Sequence, residues 1–308
     1  MWGSEHMKKK VLLMGIHGRI GEHLYEELKG TCELYCFSTG TEDVQEDIEF
    51  IQKDLFILPE VEDALNDIDT VIFFEDPIMR LNRLTQGKFN DLYLLIADNI
   101  ARASKFNDVE QIIYIKDELS DGRILSVLGA YGTVVRQTET PIKRYGKNLN
   151  YKMKDYNSVR SIQRAPIPTG WSLEDIAWYY FGWLDDIVYN VVNTVIKDQK
   201  VYMYLLDRPE PILILEFKKE LSEEDIVIFE ITGGSLSKKT NGKPQRFEFR
   251  KLPDEDEFIM ALHDFTPSLP WPIYRLTQAP IHGLVSRIYQ VEMIINKTVP
   301  EKRTNSKK

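Results

Sequence analysis

The feature that most constrains this chain is a short apolar run, Val11 to Met14, that ends at a glycine. A run of this length and composition is typical of a strand buried on both faces of a sheet. Apolar residues then recur every four positions from Ile20 to Leu28, which predicts one stripe of an amphipathic helix. The turn between strand and helix contains three glycines at intervals of three: Gly15, Gly18 and Gly21.

Each glycine has a separate role in a strand, turn and helix of this kind. Gly15 lets the backbone turn sharply, Gly18 lets a pyrophosphate approach the main chain, and Gly21 lets the helix pack closely on the strand. The unpaired N–H groups and partial positive charge of the helix N-terminus would face that phosphate. The alternative is a glycine-rich turn in some other α/β unit.

Composition excludes several classes of protein. The 308 residues allow one large domain or two ordinary ones, and a net charge of -9 argues against a nucleic-acid binder. There is no secretory signal and no apolar run long enough to span a bilayer. Cys32 and Cys36 are expected to be buried free thiols, so we expect a cytoplasmic protein with no membrane partner.

Strands and helices alternate through the first half of the chain. Further strands are predicted at 33–37, 69–74 and 112–115, with a helix at 91–106. This alternation predicts a doubly wound parallel sheet with right-handed crossovers. In such folds an acidic residue after the second strand binds the ribose of NAD, or an arginine accepts the 2′-phosphate of NADP. Ser38 and Thr39 stand there instead; Arg19 could reach a 2′-phosphate, so the cofactor is left as NADP or NAD.

The order of these segments resembles the atypical, extended short-chain dehydrogenase/reductases of the NmrA-like type. The matching segments are GIHGRIG, Lys53-Asp54-Leu55, DIDTVIFF, a helix with Asn99, and VEQIIYI, within residues 10–170. The resemblance implies that the glycine turn carries the pyrophosphate and that Asp54 and Leu55 flank the adenine. Asn99 shares the apolar face of its helix and needs a hydrogen-bond partner, for which a loop beside the cofactor is suitable. The expected cofactor contacts are Gly15, His17, Gly18, Arg19, Ile20, Gly21, Ser38, Asp54, Leu55, Phe74 and Asn99.

Active members of that family use a tyrosine four residues before a lysine, and this chain has no such pair after the predicted strand at 112–115. Tyr131 is the best-placed tyrosine, and the nearest basic residue is Arg136, one position late. On a helix that shift turns Arg136 about 100° away from Tyr131. Tyr131 is therefore the one candidate acid/base residue, and a packing role for it is the favoured alternative.

Residues 160–167 resemble the sixth strand of the family, which places the end of the nucleotide-binding domain (8–170) there. From 186 onward short β-rich segments alternate with polar turns, which predicts an antiparallel sheet with one solvated face. A final helix and a disordered tail (299–308) follow. The predicted fold is a Rossmann-like α/β domain joined to a smaller α+β domain (171–298).

The stretch 263–282 is the second candidate site. Trp271 lies between two prolines, with Tyr274 and His282 nearby, and aromatics on stiff loops suit a ligand pocket. The alternative is an aromatic-packed connection between sheet and helix. Neither His263 nor His282 has metal-ligand spacing, so no metal is expected.

Two functional hypotheses follow. The first is an oxidoreductase or epimerase/dehydratase-like enzyme that uses NAD(P) on a small organic substrate. The second is a non-catalytic sensor of a dinucleotide or hydrophobic ligand that acts through a protein partner. A Rossmann scaffold that binds no nucleotide is a third alternative, and a homodimer is left open.

Overall fold

The computed structural model describes residues 8–16, 18–37, 45–75, 84–143, 159–187, 191–206, 208–238 and 244–299. Side chains are described throughout these ranges except at 85, 271–272, 274–275 and 277–279. The strands are β1 (Lys10–Leu13), β2 (Glu33–Phe37), β3 (Ile48–Ile51), β4 (Thr70–Phe73), β5 (Leu84–Gln86), β6 (Gln111–Tyr114), β7 (Val134–Gln137), β8 (Val159–Pro166), β9 (Val192–Lys197), β10 (Lys200–Leu205), β11 (Leu213–Phe217), β12 (Ile226–Gly233), β13 (Arg246–Lys251) and β14 (Glu257–Phe265). The helices are α1 (Arg19–Leu28), α2 (Leu58–Ala64), α3 (Phe89–Phe106), α4 (Ile124–Gly129), α5 (Leu173–Ile187) and α6 (Trp271–Thr298).

The chain divides into two compact units. The first takes in residues up to 82 and 89–153, and the second takes in 83–88 and the chain from 154 onward. The sequence placed the boundary at 170, so the division in the structure assigns 154–170 to the second unit. The short segment 83–88, which carries β5, also belongs to the second unit although first-unit elements flank it in the chain.

The first unit is built on a six-stranded parallel sheet in the order β3-β2-β1-β4-β6-β7. Numbered within the unit this is 3-2-1-4-5-6, the order of the doubly wound dinucleotide-binding fold. The apolar run of the first strand is central: Leu12 is paired with Tyr35 on one side and Val71 on the other. The predicted Rossmann-like parallel sheet is thus confirmed by its own topology.

The second unit contains an eight-stranded sheet in the order β5-β8-β14-β13-β12-β11-β10-β9, antiparallel except for the β5–β8 pair. Aromatic side chains of one sheet face pack on α5: Tyr180 contacts Phe247 and Phe249, and Phe181 contacts Phe229. Tyr289 of α6 joins this core through an edge contact with Tyr180. The start of α5 is a capping box, in which Ser172 and Asp175 exchange side-chain-to-backbone hydrogen bonds.

One element prediction was wrong, and one strand was missed. Residues 159–166 pair antiparallel with β14 in the second sheet and are not the sixth strand of the parallel sheet. That position is taken by β7, Val134–Gln137, which pairs parallel with β6 and for which no strand was predicted. The β-branched pair Val134 and Val135 follows Gly132 at φ 90°, a turn that ends the helical conformation of α4 before the strand begins.

The second sheet face was predicted to be solvated, and around β13 it is buried instead. Arg246, Glu248 and Arg250 alternate with the phenylalanines and are 4%, 1% and 1% exposed. The Arg250 Nε atom lies 2.7 Å from a Glu248 carboxylate oxygen. Burial opposes ionisation of Glu248, but Arg250, His263 and Arg246 hold its pKa well below the usual range. Burial of these charged side chains is possible because they pair with one another, which offsets the loss of hydration.

None of the helices in the described ranges combines the length and apolarity that a bilayer crossing requires.

Candidate functional site

The strand order locates the candidate site. The chain moves outward from β1 through β2 to β3, and then from β4 through β6 to β7 on the other side. Ligands of open α/β sheets bind outside the carboxyl ends of the strands where this reversal occurs, here beside β1 and β4. Gly15 lies two residues after the end of β1 and Phe74 directly follows β4, so both predicted contacts lie at this edge.

The turn after β1 has the geometry that its glycines predict. Gly18 has φ 89°, a conformation that L side chains rarely adopt, and it is the N-cap of α1 without a side-chain cap. A Cβ on Gly21 would lie 2.6 Å from the Cα of Ile16, so only glycine allows this approach of helix to turn. Arg19 and Ile20 form the first turn of α1, whose N–H groups point back toward the turn.

The loop after β3 is held by a buried asparagine. The Nδ2 atom of Asn99, 1% exposed on α3, donates a hydrogen bond of 2.8 Å to the carbonyl of Leu55. Asp54 is also buried; one carboxylate oxygen accepts the N–H of Phe56, and its own N–H donates to Glu60. The prediction that Asn99 bonds a loop is confirmed, and the loop is the one that contains Asp54 and Leu55.

Two acidic residues at this edge were missed from the sequence. Glu75 and Asp117 are 5% and 4% exposed, and each closely follows a buried strand, β4 or β6. Burial, together with the charges of Glu75, Asp117 and Asp121, raises the pKa of Tyr114 to about 12. The signal that could have found them is a carboxylate soon after an apolar run, because carboxyl ends of parallel strands share one edge.

Tyr131 is not brought to this edge. It lies between α4 and β7, at the amino end of β7. Gly15 follows the carboxyl end of β1, and because the strands are parallel these two ends lie at opposite edges of the sheet. Its hydroxyl donates a hydrogen bond of 2.8 Å to Asp98, and its ring lies 4.7 Å from the guanidinium carbon of Arg102. Arg102 in turn pairs with Asp98 at 2.9 Å. These contacts correct the acid/base interpretation of Tyr131 in favour of the packing alternative.

The second candidate pocket is also rearranged. Residues 271–282 are part of α6 rather than stiff loops, with Pro272 in the first turn, where proline is tolerated, and Pro280 inside. The Nε2 atom of His282 lies 3.2 Å from the hydroxyl of Ser161, and burial lowers the pKa of His282 to about 4. His263 is the cross-strand neighbour of Arg246, and Ser161 is the cross-strand neighbour of Leu262, the residue before His263. His263 and Ser161 therefore lie on opposite faces of the sheet, and the two histidines do not share a site.

Some predicted contacts lie outside the described residues: His17, Ser38 and Thr39, and the side chains of Trp271 and Tyr274. Within the described part of the chain, no group of three or more His, Cys, Asp or Glu is arranged to hold a metal ion.

The fold and the glycine turn define the class of this protein. It combines a Rossmann-type α/β unit, with a glycine turn at its topological switch point, and a second unit built on a mostly antiparallel sheet. The chain belongs to the family of the auxiliary protein GraX of Staphylococcus aureus. It is 33% identical to that protein over 291 residues, 93% of this chain and 94% of the relative. No protein-family model matches the chain.

Solved structures similar to this chain are Rossmann-fold epimerases and dehydrogenases. A nucleoside-diphosphate-sugar epimerase from Staphylococcus aureus is 19% identical, with TM-score 0.34, over 42% of this chain and 49% of its own. The enzyme WbmH of Bordetella bronchiseptica, solved with NAD+, is 19% identical, with TM-score 0.34, over 43% and 55%. This chain thus spans about half of each. The strand order of the parallel sheet defines the fold of the first unit.

Proposed function

We propose that the first unit binds NAD or NADP, with the pyrophosphate at the glycine turn between β1 and α1. The observation that carries this proposal is the coincidence of Gly18 at φ 89°, the close-packed Gly21 and the switch point of the sheet. Main-chain N–H groups at the start of α1 would bind the phosphates, since they have no partners within the helix.

The loop held by Asn99 would receive the adenine end of the dinucleotide. This loop follows β3, which lies on the β2 side of β1 in the sheet. Asn99 fixes the backbone of the loop at Leu55. Glu75 and Asp117 place two buried carboxylates beside the other half of the crevice. When bound, the nicotinamide would supply hydride chemistry toward a small organic substrate, and the protein would supply orientation.

A second candidate function is a non-catalytic dinucleotide sensor that acts through a protein partner. The placement of Tyr131 favours it, because its phenol donates to Asp98 and lies away from the glycine turn.

Titration with NADH and NADPH, followed by nicotinamide fluorescence, tests the nucleotide site. Gly18→Asp places a carboxylate where the pyrophosphate would lie and should weaken binding about 100-fold or more. Gly30→Asp is the matched control: Gly30 also has positive φ, 77°, but open space around its Cβ. Both changes place a side chain at a positive φ and so strain the backbone, but only Gly18→Asp puts a carboxylate at the phosphate site and should affect binding.

Saturable binding of either nucleotide that Gly18→Asp abolishes and Gly30→Asp spares is the expected result. Absence of binding by the unmodified protein at millimolar nucleotide would overturn the proposal. Turnover of bound NADPH with a panel of carbonyl compounds then separates the two functions, since consumption of the cofactor would exclude the non-catalytic sensor.

A further inference from the structure

The C-terminal helix α6 carries apolar side chains on two sides. Gly283, Ser286, Tyr289 and Met293 form its buried side within the second unit. On the other side, large aliphatic side chains are about half exposed or more, a set that we call the outer stripe: Ile273 (48%), Leu276 (78%), Ile281 (61%), Leu284 (58%), Val291 (55%), Ile294 (50%) and Ile295 (49%).

The members of the outer stripe share one side of the helix, with Pro280 and Arg287 interspersed among them. At 100° per residue, its members fall within an arc of about 140° on the side opposite the buried residues. From Ile273 to Ile295 the stripe extends about 33 Å along the helix axis. A surface helix with one face on its own core normally presents polar residues outward, so an apolar outer face indicates that something covers it.

The area of the outer stripe matches a specific protein interface. From their exposed fractions, the seven side chains present roughly 750 Å² of surface, above the largest apolar patch of a typical monomer. A standard interface takes about 800 Å² from each partner. One such stripe from each of two copies therefore supplies almost the whole area that a stable dimer requires.

The charges around the outer stripe argue for the chemistry of its occupant. Between Ile281 and Thr298, Arg287 is exposed and lies within the arc of the stripe, whereas Glu292 and Lys297 are partly buried and lie outside that arc. A helix that lies on an anionic membrane needs many Lys and Arg residues on a polar face, and this chain has a net charge of -9. An occupant with an equally apolar, charge-poor stripe is complementary, and a second copy of this chain presents one.

We propose that two copies of this chain associate through their α6 helices, outer stripe against outer stripe, about a two-fold axis. In such an isologous interface the same residues contribute from both copies. Leu284 is the midpoint of the stripe between Ile273 and Ile295, so the two Leu284 side chains meet near the axis. This interface does not depend on whether the first unit binds a nucleotide.

The oligomeric state of the full chain tests the proposal. Light scattering after size exclusion should give twice the chain mass of 36.0 kDa for the unmodified protein at micromolar concentration. Leu284→Lys combined with Val291→Lys should give a single 36.0 kDa species with unchanged circular dichroism. The matched control, Val195→Lys with Ile196→Lys, changes two exposed aliphatic side chains of β9 (49% and 48%) and should remain a dimer.

A cross-link locates the interface independently of the lysine variants. Leu284→Cys in a chain with Cys32→Ser should form a covalent dimer with a short bismaleimide, whereas Val195→Cys in the same chain should not. A monomer at 50 µM or above, or a dimer that survives the double lysine change, would overturn the proposal. So would co-sedimentation of a monomeric protein with anionic phospholipid vesicles that the lysine change abolishes, because a membrane would then be the occupant.

Discussion

Two asparagines, one on α3 and one directly after its last residue, make the same kind of bond to different parts of the first unit. Asn99 donates to the carbonyl of Leu55 at 2.8 Å, and Asn107 donates to the carbonyl of Glu62 at 2.8 Å. The first bond holds the loop after β3, at the candidate site, and the second holds the helix α2. Comparing substitutions of the two asparagines therefore separates the effect of a lost hydrogen bond on stability from its effect on nucleotide affinity.

Asn99→Ala should lower both stability and nucleotide affinity. Loss of the buried bond costs about 1–3 kcal/mol of unfolding free energy, and release of the Leu55 backbone should weaken NADH binding about tenfold. Asn107→Ala should lower stability comparably and leave the affinity unchanged. Urea unfolding and a fluorescence titration measure the two effects; equal losses of affinity in both variants would remove Asn99 from the site.

At the scale of elements, the sequence predicts what local patterning determines. The glycine turn and the alternation of strands and helices each depend on residues close together in the chain, and both are confirmed. The start of α6 was missed because prolines at 270 and 272 suggested a loop, although proline fits a first helical turn. The burial of the β13 charges was missed because alternating charges in one strand predict a solvated face, and the neighbouring strand that contributes His263 is distant in sequence.

Gly21→Ala should damage both the packing of α1 and the phosphate site. The added Cβ would press on the backbone of Ile16, so the helix must shift at a cost of about 1–3 kcal/mol. Gly182→Ala is the control: Gly182 is exposed on α5 with open space around its Cβ, and the change should stabilise the protein by about 0.5–1 kcal/mol. Thermal unfolding with and without NADH measures both; a neutral Gly21→Ala would contradict the close approach.

At the scale of the whole molecule, β5 belongs to the second unit although it lies within the first unit in sequence, and the sequence did not indicate this. Leu84–Gln86 is short and mostly polar, and it pairs with β8 only because residues more than 70 positions later present an edge to it. Gln86 accepts hydrogen bonds from Gln163 and Ser161. No local sequence pattern predicts the pairing of β5 with β8, because all of the partners of β5 in this sheet are distant in sequence.

Gln86→Ala should destabilise the second unit although it lies between β4 and α3. Loss of these bonds should cost about 1–2 kcal/mol. Trp171, Trp178 and Trp183 lie on or beside α5, so tryptophan emission reports unfolding of this unit. Gln137→Ala, an exposed position at the end of β7, should leave that transition unchanged. An unaltered emission midpoint in Gln86→Ala would show that β5 adds nothing to the sheet.

The assignment of β5 to the second unit also limits where the chain can be cut into fragments, and it affects the order of folding during synthesis. No single cut yields two whole parts, because a break near 153 leaves the second sheet without its edge strand and attaches that strand to the wrong fragment. During synthesis β5 leaves the ribosome long before β8 exists, so it waits without its partner while the surrounding α/β elements form. Insertions and fusions designed for this family should therefore treat 83–88 as part of the C-terminal half.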